Sequence, residues 1–322
     1  MNSQSNIYTL GVDLGGSKIQ AALVDVAGKI VASHRRLLPA GKQPDSTIAA
    51  VLDSLNICLK ESALKASALG IGVAGQIDKT MGIVRHSPNL PGWLNVPLKA
   101  PLEKALNLPV MVNNDAKAIV WGEWKHGAGQ GFQDVVCLFL GTGIGGGVVS
   151  GGRLLEGTNN NAGELGHITV VAAGRQCHCP NEGCMEAYAG GWAIGERTRD
   201  AVKANPQGGE LLLKLAGSLE NISAITVSQA YIQQDPLANR IVKDTSRYLA
   251  AGVVSIVNAF NPAILILGGS VILGIPDLVS MVEKRVGEHA LPTPLKGLKI
   301  ATAALGNQSG AIGAASMARE LL

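Results

Sequence analysis

Aromatic side chains are scarce in this sequence, and so is charge of one prevailing sign. Phenylalanine, tyrosine and tryptophan make up 3% of the 322 residues, and the formal net charge is only +3. Proteins that bind single-stranded nucleic acids rely on aromatic stacking surfaces, and duplex DNA is bound by clustered lysine and arginine. Because no basic block stands out, the composition gives little support to binding of nucleic acids or of anionic membranes.

A secretory leader, a membrane span and a disulfide framework are also not expected. Met1–Asn6 is polar and lacks the basic and apolar pattern of a leader. The uncharged run Leu249–Pro276 is long enough for a span, but Asn261-Pro262 and Gly268-Gly269 interrupt it, which favours a buried helix followed by a buried strand. The five cysteines are an odd number, which favours a reducing compartment. We therefore expect a cytoplasmic protein.

The sequence is rich in hydrophobic residues and in glycine. It is 47% hydrophobic, contains 41 glycines and exceeds the roughly 100–200 residues of one domain. An apolar strand, a glycine-rich hairpin and a second strand occur at 8–26 and again at 135–150. This weak repeat predicts an α/β fold in which two related domains of mixed sheets and flanking helices face each other across a cleft. The predicted bounds are 1–116 for a smaller first domain, 117–308 for a larger second domain and 309–322 for a helix that completes the first.

Two glycine-rich hairpins are candidates for binding phosphate, although each is also compatible with an ordinary turn. Gly11–Lys18 includes Asp13 at a strand end, where a carboxylate can hold Mg²⁺ through water. Leu140–Gly147 matches G-x-G-x-x-G, but a strand follows it instead of the helix that a Rossmann dehydrogenase requires. The sequence has no G-x-x-x-x-G-K-[ST], so the phosphate site is not a P-loop. A third element, Gly268-Gly269, could let an adenosine lie on bare backbone.

Asp115 is the candidate acid–base group. It follows the apolar strand Val110–Val112 and opens a helix. Carboxylates at the carboxyl ends of strands in α/β proteins commonly face the ligand crevice. The structural alternative is a helix N-cap, and the two roles are compatible.

One histidine and three cysteines form a candidate metal site. His167, Cys177, Cys179 and Cys184 have the spacing His-x₉-Cys-x-Cys-x₄-Cys. An imidazole and three thiolates supply the closed tetrahedral shell of a structural zinc site. Redox chemistry is the rival, but the Cys-x-Cys spacing differs from the C-x-x-C of thioredoxin-like proteins. His178, between two of the cysteines, could compete as a ligand.

These motifs together resemble the ROK family (repressors, uncharacterised frames and sugar kinases), especially its bacterial glucokinases. The most specific elements are Glu164-Leu165-Gly166-His167 and the following Cys177-x-Cys179-x₄-Cys184-x-Glu186, and the resemblance extends from Gly11 to Gly306–Ala311. The glycine loops alone would indicate only the wider actin/hexokinase/Hsp70-like superfamily. The resemblance implies a two-lobed actin/hexokinase-like (ribonuclease H-like) ATPase fold. It also implies an enzyme that transfers a phosphoryl group from ATP to the 6-hydroxyl of a hexose.

The resemblance further implies roles for individual residues. Asp115 would be the general base, and Asp13 would be associated with Mg²⁺. His167 would bind zinc and the sugar through different ring nitrogens. Pro180 departs from the family pattern, which usually has glycine there, so the cysteine turn is expected to bend differently while its ligands stay intact. The other implied sugar ligands are Asn89, Asn114, Glu164 and Glu186, and the implied nucleotide contacts are Gly15, Gly16, Ser17, Lys18, Thr142, Gly143, Gly268 and Gly269.

Several alternatives stay open at this level. Glucose is the leading substrate, and N-acetylglucosamine or N-acetylmannosamine is the runner-up, because related kinases keep the same hydroxyl ligands. A sugar-responsive repressor would need an N-terminal helix-turn-helix, for which the motif beginning at Gly11 leaves no room. A chaperone-like or filament-forming ATPase would need large insertions that the sequence does not show. The family resemblance implies a homodimer or homotetramer, and either ATP or polyphosphate could be the donor.

Overall fold

The computed structural model describes residues 7–322. Met1–Asn6, whose polarity predicted the lack of a secretory leader, lies outside the described residues. The strands are β1 (Thr9–Leu14), β2 (Lys18–Val24), β3 (Ile30–Leu37), β4 (Ala68–Val73), β5 (Gln76–Asp78), β6 (Ile83–His86), β7 (Leu94–Pro97), β8 (Val110–Asn114), β9 (Val135–Leu140), β10 (Ile144–Ser150), β11 (Arg153–Leu154), β12 (Ile264–Gly268) and β13 (Lys299–Thr302). The helices are α1 (Pro44–Ser62), α2 (Lys99–Leu106), α3 (Asp115–His126), α4 (Glu186–Ala189), α5 (Gly191–Ala204), α6 (Glu210–Ala216), α7 (Ala224–Ile232), α8 (Pro236–Phe260), α9 (Ser270–Gly274), α10 (Leu278–His289), α11 (Pro292–Leu295) and α12 (Ser309–Ala318).

The described residues divide into two compact units. The first unit contains the described residues up to Gly131, together with Leu154–Ala162 and Ala304–Leu322. The second unit contains Phe132–Arg153 and Gly163–Ala303. Sheets with helices packed on them occur in both units, so the prediction of an α/β fold with mixed sheets is confirmed.

The main sheets of the two units are built on the same plan. The first has the order β3-β2-β1-β4-β8, and the second has the order β11-β10-β9-β12-β13. In each, a hairpin of two antiparallel strands (β1–β2 or β9–β10) is extended by two further strands that run parallel to its first member. The central strands β4 and β12 are buried throughout, as expected where both faces of a sheet are covered. The carboxyl ends of three parallel strands therefore meet at one edge of each sheet.

Glycines explain how closely the C-terminal helix approaches the first sheet. Gly11 in β1 and Gly70 in β4 are register partners, so they lie on the same face of the sheet. A Cβ atom at either position would overlap a backbone carbonyl oxygen of α12, from Ala311 or Ala314. Only glycine fits beneath the helix at these two positions. The other sheet face packs its leucines and valines against α1, with Val51 and Leu55 fully buried.

The glycine-rich composition of Gly141–Gly147 predicts a single turn over these seven residues, but the structure differs from this prediction. Only Gly141–Gly143 forms the turn, whereas Ile144–Ser150 is strand β10, paired antiparallel with β9. Glycine is needed inside this strand for packing, because a Cβ at Gly146 would lie 2.6 Å from the Cys137 carbonyl oxygen. The glycine pattern therefore serves strand packing as well as the turn.

Two further details of the first unit were not predicted correctly. Serine is a favoured N-cap residue, so Ser46 is a plausible start for the first long helix from the sequence alone. Helix α1 instead begins at Pro44, which is pre-organised for a first helical position, and the Ser46 hydroxyl donates to the Gln43 carbonyl. The small antiparallel sheet β5-β6-β7 was not predicted at all. Its strands have only three or four residues, too few for a recognisable alternation.

The uncharged stretch of the second unit forms a buried helix and a buried strand. Helix α8 ends at Asn261, whose left-handed φ of 45° is the backbone conformation that commonly ends a helix, and strand β12 follows Pro262. Within residues 7–322, every helix is either too short or too polar to cross a lipid bilayer.

The C-terminal segment is anchored to α3 by two side chains. The fully buried Glu123 accepts hydrogen bonds from the backbone N–H groups of Ala304 (3.0 Å) and Leu305 (2.8 Å), which compensate for burial of its charge. One turn further along α3, His126 Nε2 lies 2.9 Å from the Ser316 hydroxyl of α12. Burial, together with the charge of Arg319, lowers the pKa of His126.

This histidine predicts a loss of stability in mild acid. The pKa of His126 is lower in the folded state than its value of about 6.5 in the unfolded state. The stability that depends on a neutral His126 is therefore complete above pH 6.5 and is lost as the pH falls below that value. We expect the melting temperature of the wild type to fall more steeply between pH 7.5 and 5.5 than that of His126→Gln, whose amide can still meet Ser316. Scanning calorimetry of both proteins measures the two slopes, and parallel curves would contradict the assignment.

Candidate functional site

Two carboxylates lie near the carboxyl edge of the first sheet. Asp13 is near the end of β1, and Asp115 directly follows β8; both strands run parallel to β4, which separates them. The pKa of Asp13 is raised to about 6, mainly by burial and also by the negative charge of Asp115, while Lys18 opposes both effects. Asp13 and Asp115 are therefore close enough to interact electrostatically. Paired carboxylates beside a lysine are a suitable place for a hard divalent cation.

The N-cap of α3 is Asn114, and Asp115 is the first helical residue. The Asn114 side chain accepts a hydrogen bond from Lys117 N–H (3.2 Å) and donates one to the Gly75 carbonyl (3.2 Å). The alternative in which Asp115 itself caps the helix is therefore wrong. Asp115 Oδ1 accepts a bond from Ala116 N–H (2.9 Å), which fixes the carboxylate at a helix N-terminus, where the helix dipole favours negative charge.

The first glycine loop joins β1 to β2 and contacts Asn89. The N–H of Gly15 donates to the Lys18 carbonyl (3.1 Å) and closes the turn. A Cβ atom on Gly16 would lie 2.9 Å from the Cβ of Asn89, so glycine lets these two segments approach. Ser17 at the tip of the turn is exposed, as is Asn89. Asn89 and the predicted nucleotide contacts Gly15–Lys18 are thus brought together.

The predicted nucleotide contacts of the second unit lie at the carboxyl ends of two neighbouring parallel strands. Thr142 and Gly143 follow β9, and Gly268 and Gly269 are at the end of β12, which pairs with β9. Gly269 has a φ of 92°, and a Cβ there would lie 2.7 Å from the Leu140 backbone nitrogen. Glycine is therefore required where the two loops meet. The exposed Thr142 and the bare backbone around it can receive a ligand.

Glu186 lies directly against the second glycine loop. Its Oε2 accepts a hydrogen bond from the N–H of Ile144 at 2.7 Å, and a side chain on Gly143 would overlap this carboxylate. The start of α5 holds the other side of the loop, because the N–H of Gly191 donates to Gly141 O (3.0 Å) and that of Trp192 donates to Thr142 O (2.9 Å). The loop conformation is thus fixed by a carboxylate and by two backbone bonds.

The four candidate metal ligands come together. A ring nitrogen of His167 and the sulfurs of Cys177, Cys179 and Cys184 all lie within 4.8 Å of one another. Cys177 Sγ is 3.7 Å from His167 Nδ1, and Cys179 Sγ is 3.6 Å from Cys184 Sγ. Two thiolates bound to one tetrahedral zinc at about 2.3 Å would lie roughly 3.8 Å apart, so the donor set fits the ion.

The surroundings of the cluster suit a structural site rather than a reactive thiol. No disulfide bond joins the cysteines within residues 7–322. Burial raises the pKa of the Cys177 thiol to about 12, so a metal ion would have to displace its proton. Asn181 Nδ2 donates to Cys184 Sγ (3.4 Å) and to Thr169 Oγ1 (2.9 Å), tying the turn down. The turn contains Pro180, and the four ligand atoms are nonetheless grouped.

Two of the predicted sugar ligands, Glu164 and Glu186, lie next to this cluster in the chain. The segment after His167 pairs with the segment before Glu186, through a 2.8 Å bond from Met185 N–H to the Ile168 carbonyl. Since His167 Nδ1 faces the thiols, Nε2 is the ring nitrogen left for a second partner. Glu164 is exposed and precedes the short 3₁₀ turn that carries His167.

Two side chains that the sequence did not identify make hydrogen bonds at or near the candidate sites. Trp192 donates from its indole Nε1 to Glu186 Oε1 (3.3 Å). Lys117 is buried on α3, and its ammonium group donates to the backbone oxygen (2.6 Å) and the side-chain oxygen (2.7 Å) of Asn160. No spacing signal leads to either residue. Trp192 is separated from Glu186 by a helix break at Gly190, and Lys117 lies 43 positions before its partner.

The raised pKa of Asp13 predicts that this carboxylate lowers the stability of the protein. The folded-state pKa of Asp13 is about 6 against a usual 3.8, so ionising this carboxylate in the folded protein costs free energy of folding. The cost is complete above pH 6 and decreases as the pH falls from 6 to below 4. In magnesium-free buffer at pH 7.5 we expect Asp13→Asn to be more stable than the wild type by about 1–2 kcal/mol. This is below the roughly 3 kcal/mol of the full shift, because Asp13 is partly solvated. Denaturant titrations at pH 7.5 and 4.5 measure the gain, which should fall to about a third of its size at the lower pH.

Comparison with known proteins identifies the family. The chain is 36% identical to a glucokinase of Streptomyces coelicolor, over 97% of this chain and 98% of that one. It is 37% identical to a glucokinase of Thermotoga maritima, over 97% of both. A solved ROK family glucokinase from Streptomyces griseus, in complex with glucose and AMPPNP, superposes with a TM-score of 0.82 at 34% identity, over 97% of this chain and 99% of that one. These similarities confirm the predicted actin/hexokinase-like class of α/β fold. With the ROK family profile matching residues 9–321, the chain belongs to the ROK family.

Proposed function

We propose that the protein is an ATP-dependent hexokinase that converts glucose into glucose 6-phosphate. Membership of the ROK family supports this, as do the glucokinases that match almost the whole chain. The Streptomyces griseus glucokinase bound to glucose and AMPPNP supports both substrates. The observation that carries the proposal is the position of Asp115 at a sheet edge and helix N-terminus, beside Asp13.

The reaction requires one proton acceptor and extensive charge stabilisation. As the 6-hydroxyl oxygen attacks the γ-phosphorus, Asp115 takes the hydroxyl proton, and the bond from the γ-phosphorus to its bridging oxygen breaks to release ADP. Asp13 would hold Mg²⁺ through water, and that ion would offset the charge of the phosphates. Backbone N–H groups of the glycine loops would bind the phosphates directly. The proposed nucleotide contacts are Gly15, Gly16, Ser17, Lys18, Thr142, Gly143, Gly268 and Gly269.

A set of amides, carboxylates and an imidazole would recognise the sugar hydroxyls. Each such group is left unpaired by an analogue that lacks its hydroxyl, so the set discriminates among sugars. His167 would use Nε2 for the sugar, because Nδ1 faces the thiols. The proposed ligands are Asn89, Asn114, Asp115, Glu164, His167 and Glu186.

The Cys₃His cluster would hold a structural zinc ion. Its donors are His167, Cys177, Cys179 and Cys184, whose mutual distances fit a tetrahedral ion. The ion would fix the turn that precedes Glu186 and takes no part in the transfer step. We further propose that the protein acts in the cytoplasm as a homodimer or homotetramer, which light scattering on a sizing column can test.

The proposed reaction is tested by a panel of acceptors and donors. ADP release is measured in a coupled assay with glucose, N-acetylglucosamine, N-acetylmannosamine and fructose, each with ATP, and phosphorylated product is assayed with polyphosphate as donor. We expect glucose with ATP to give the highest kcat/KM. A higher kcat/KM with an N-acetylated sugar would change the assigned substrate from glucose to that sugar. A lack of turnover with every sugar would refute the proposal that the protein is a sugar kinase.

A further inference from the structure

Both oxygens of the Glu186 carboxylate are held by protein donors. Oε2 accepts the Ile144 N–H at 2.7 Å, and Oε1 accepts the Trp192 indole N–H at 3.3 Å. Cys177 Sγ also lies 3.8 Å from Oε1. A carboxylate with a donor on each of its oxygens has a fixed plane and a fixed direction for its remaining lone pairs. Its orientation therefore depends on Trp192 as much as on the loop.

Trp192 is itself fixed at three points. Its backbone N–H donates to the Thr142 carbonyl (2.9 Å), its indole N–H reaches Glu186, and its ring stacks on His178 with centroids 3.9 Å apart and planes 18° from parallel. His178 lies between two of the candidate metal ligands, Cys177 and Cys179. Trp192 thus contacts the glycine loop, the proposed sugar ligand and the cysteine turn at once.

We propose that Trp192 is a positioning residue that aims Glu186 at the sugar and, through Glu186 and Ile144, holds the Gly141–Gly143 loop in its nucleotide-binding form. The inference rests on the proposed function, because the roles of Glu186 and of the loop belong to it. Trp192 does not touch the reacting atoms; it acts through Glu186. One side chain then supports both substrate sites, so its loss weakens the binding of glucose and of ATP together.

The rival role for Trp192 is only to fill space between α5 and the cysteine turn. Trp192→Phe separates the two roles, because phenylalanine keeps a ring that can stack on His178 but has no N–H to donate. Trp121→Phe is a matched control. Trp121 is also half-buried, and its indole N–H also makes a 3.3 Å hydrogen bond, to Ser316 Oγ in the first unit. The two variants lose the same kind of bond in different places.

We expect Trp192→Phe to raise the KM for glucose about 5- to 10-fold and that for ATP about 2- to 5-fold, with kcat within roughly 2-fold of the wild type. Trp121→Phe should leave both KM values unchanged. Glucose binding without ATP, followed by isothermal titration calorimetry, should weaken in parallel with the KM for glucose. A purely structural role would instead lower the melting temperature and the active fraction while leaving both KM values as they are.

A double-mutant cycle tests whether Trp192 acts through Glu186. In a Glu186→Gln background the charged acceptor is gone, so adding Trp192→Phe should change the KM for glucose by less than about 2-fold. If Trp192→Phe alone fails to fold, Glu186→Gln still tests the coupling, because its weaker bond to Ile144 should raise the KM for ATP as well as that for glucose. An unchanged KM for ATP in that variant overturns the link to the loop.

The outcomes for the inference and for the proposed function are distinct. If the wild type phosphorylates glucose and Trp192→Phe has wild-type KM values, only the positioning role is overturned. If the wild type phosphorylates none of the sugars tested, the proposed function fails and the inference fails with it.

Discussion

Replacing Asp115 with asparagine is expected to lower kcat by about 10³-fold or more, because general-base catalysis typically contributes 10²- to 10⁴-fold and the amide cannot accept the proton. Glucose affinity should change by less than roughly 3-fold, since asparagine keeps the shape and hydrogen-bonding capacity of the side chain. The helix should also be preserved. Its cap is Asn114, and an amide oxygen can still accept the Ala116 N–H that Asp115 Oδ1 accepts at 2.9 Å.

The measurement combines steady-state kinetics with direct binding. Isothermal titration calorimetry gives the affinity for glucose, and the coupled assay gives kcat. Asp25→Asn is a control for the same chemical change in the same unit, because Asp25 Oδ1 only accepts the turn N–H groups of Ala27 and Lys29, each at 2.9 Å. The control should retain full kcat. Wild-type turnover in Asp115→Asn would refute the base assignment.

The sequence was sufficient to predict the strands that carry the site. The predicted strand Val110–Val112 matches β8 to within two residues, and the predicted hairpins at 8–26 and 135–150 contain β1–β2 and β9–β10, because short apolar runs bounded by turn residues are typical of buried strands. Glycine was a less specific signal. It predicted a loop of seven residues at Gly141–Gly147, whereas four of them belong to β10, since glycine fits a tight turn and a closely packed strand equally well.

Local sequence could not resolve which of two neighbouring residues caps α3. Asparagine and aspartate are almost equally good N-caps, so Asn114-Asp115 permits either assignment. The register of the helix decides it, and that register is set by packing of α3 against β4 and α12, for instance where Gly122 meets Gly313. Distant packing therefore determines that Asp115 is not the cap.

The candidate metal cluster was predictable from local sequence, whereas the hydrogen bond from Trp192 to Glu186 was not. Cys177, Cys179 and Cys184 are close in sequence, so their spacing alone brings their sulfurs within reach of one another. The bond from Trp192 to Glu186 crosses a break between two helices, and no residue periodicity extends across such a break. Side chains that support a site from a second element are therefore found only once tertiary structure is known.

Replacing Cys184 with serine is expected to remove the bound zinc and to destabilise the second unit by about 3 kcal/mol or more, because metal-binding free energy contributes directly to folding in closed sites. Cys184 is fully buried and lies 3.6 Å from Cys179 Sγ, so no other donor can take its place without a rearrangement of the turn. Elemental analysis should give about one zinc per wild-type chain and far less in the variant. The melting temperature should fall in parallel.

Cys137→Ser is the matched control, because Cys137 is also fully buried in the second unit but lies on β9, apart from the four candidate ligands. It should lose some stability, as any buried thiol replaced by a hydroxyl does, yet keep its zinc. A chelator should lower the melting temperature of the wild type and of Cys137→Ser, with recovery when zinc is added back, and should leave Cys184→Ser unaffected.

Since Cys177 Sγ is 3.8 Å from Glu186 Oε1, loss of the ion should also raise the KM for glucose. A wild-type protein that is fully stable without bound metal would exclude a structural zinc ion, and the cysteine turn would then be held by its own hydrogen bonds.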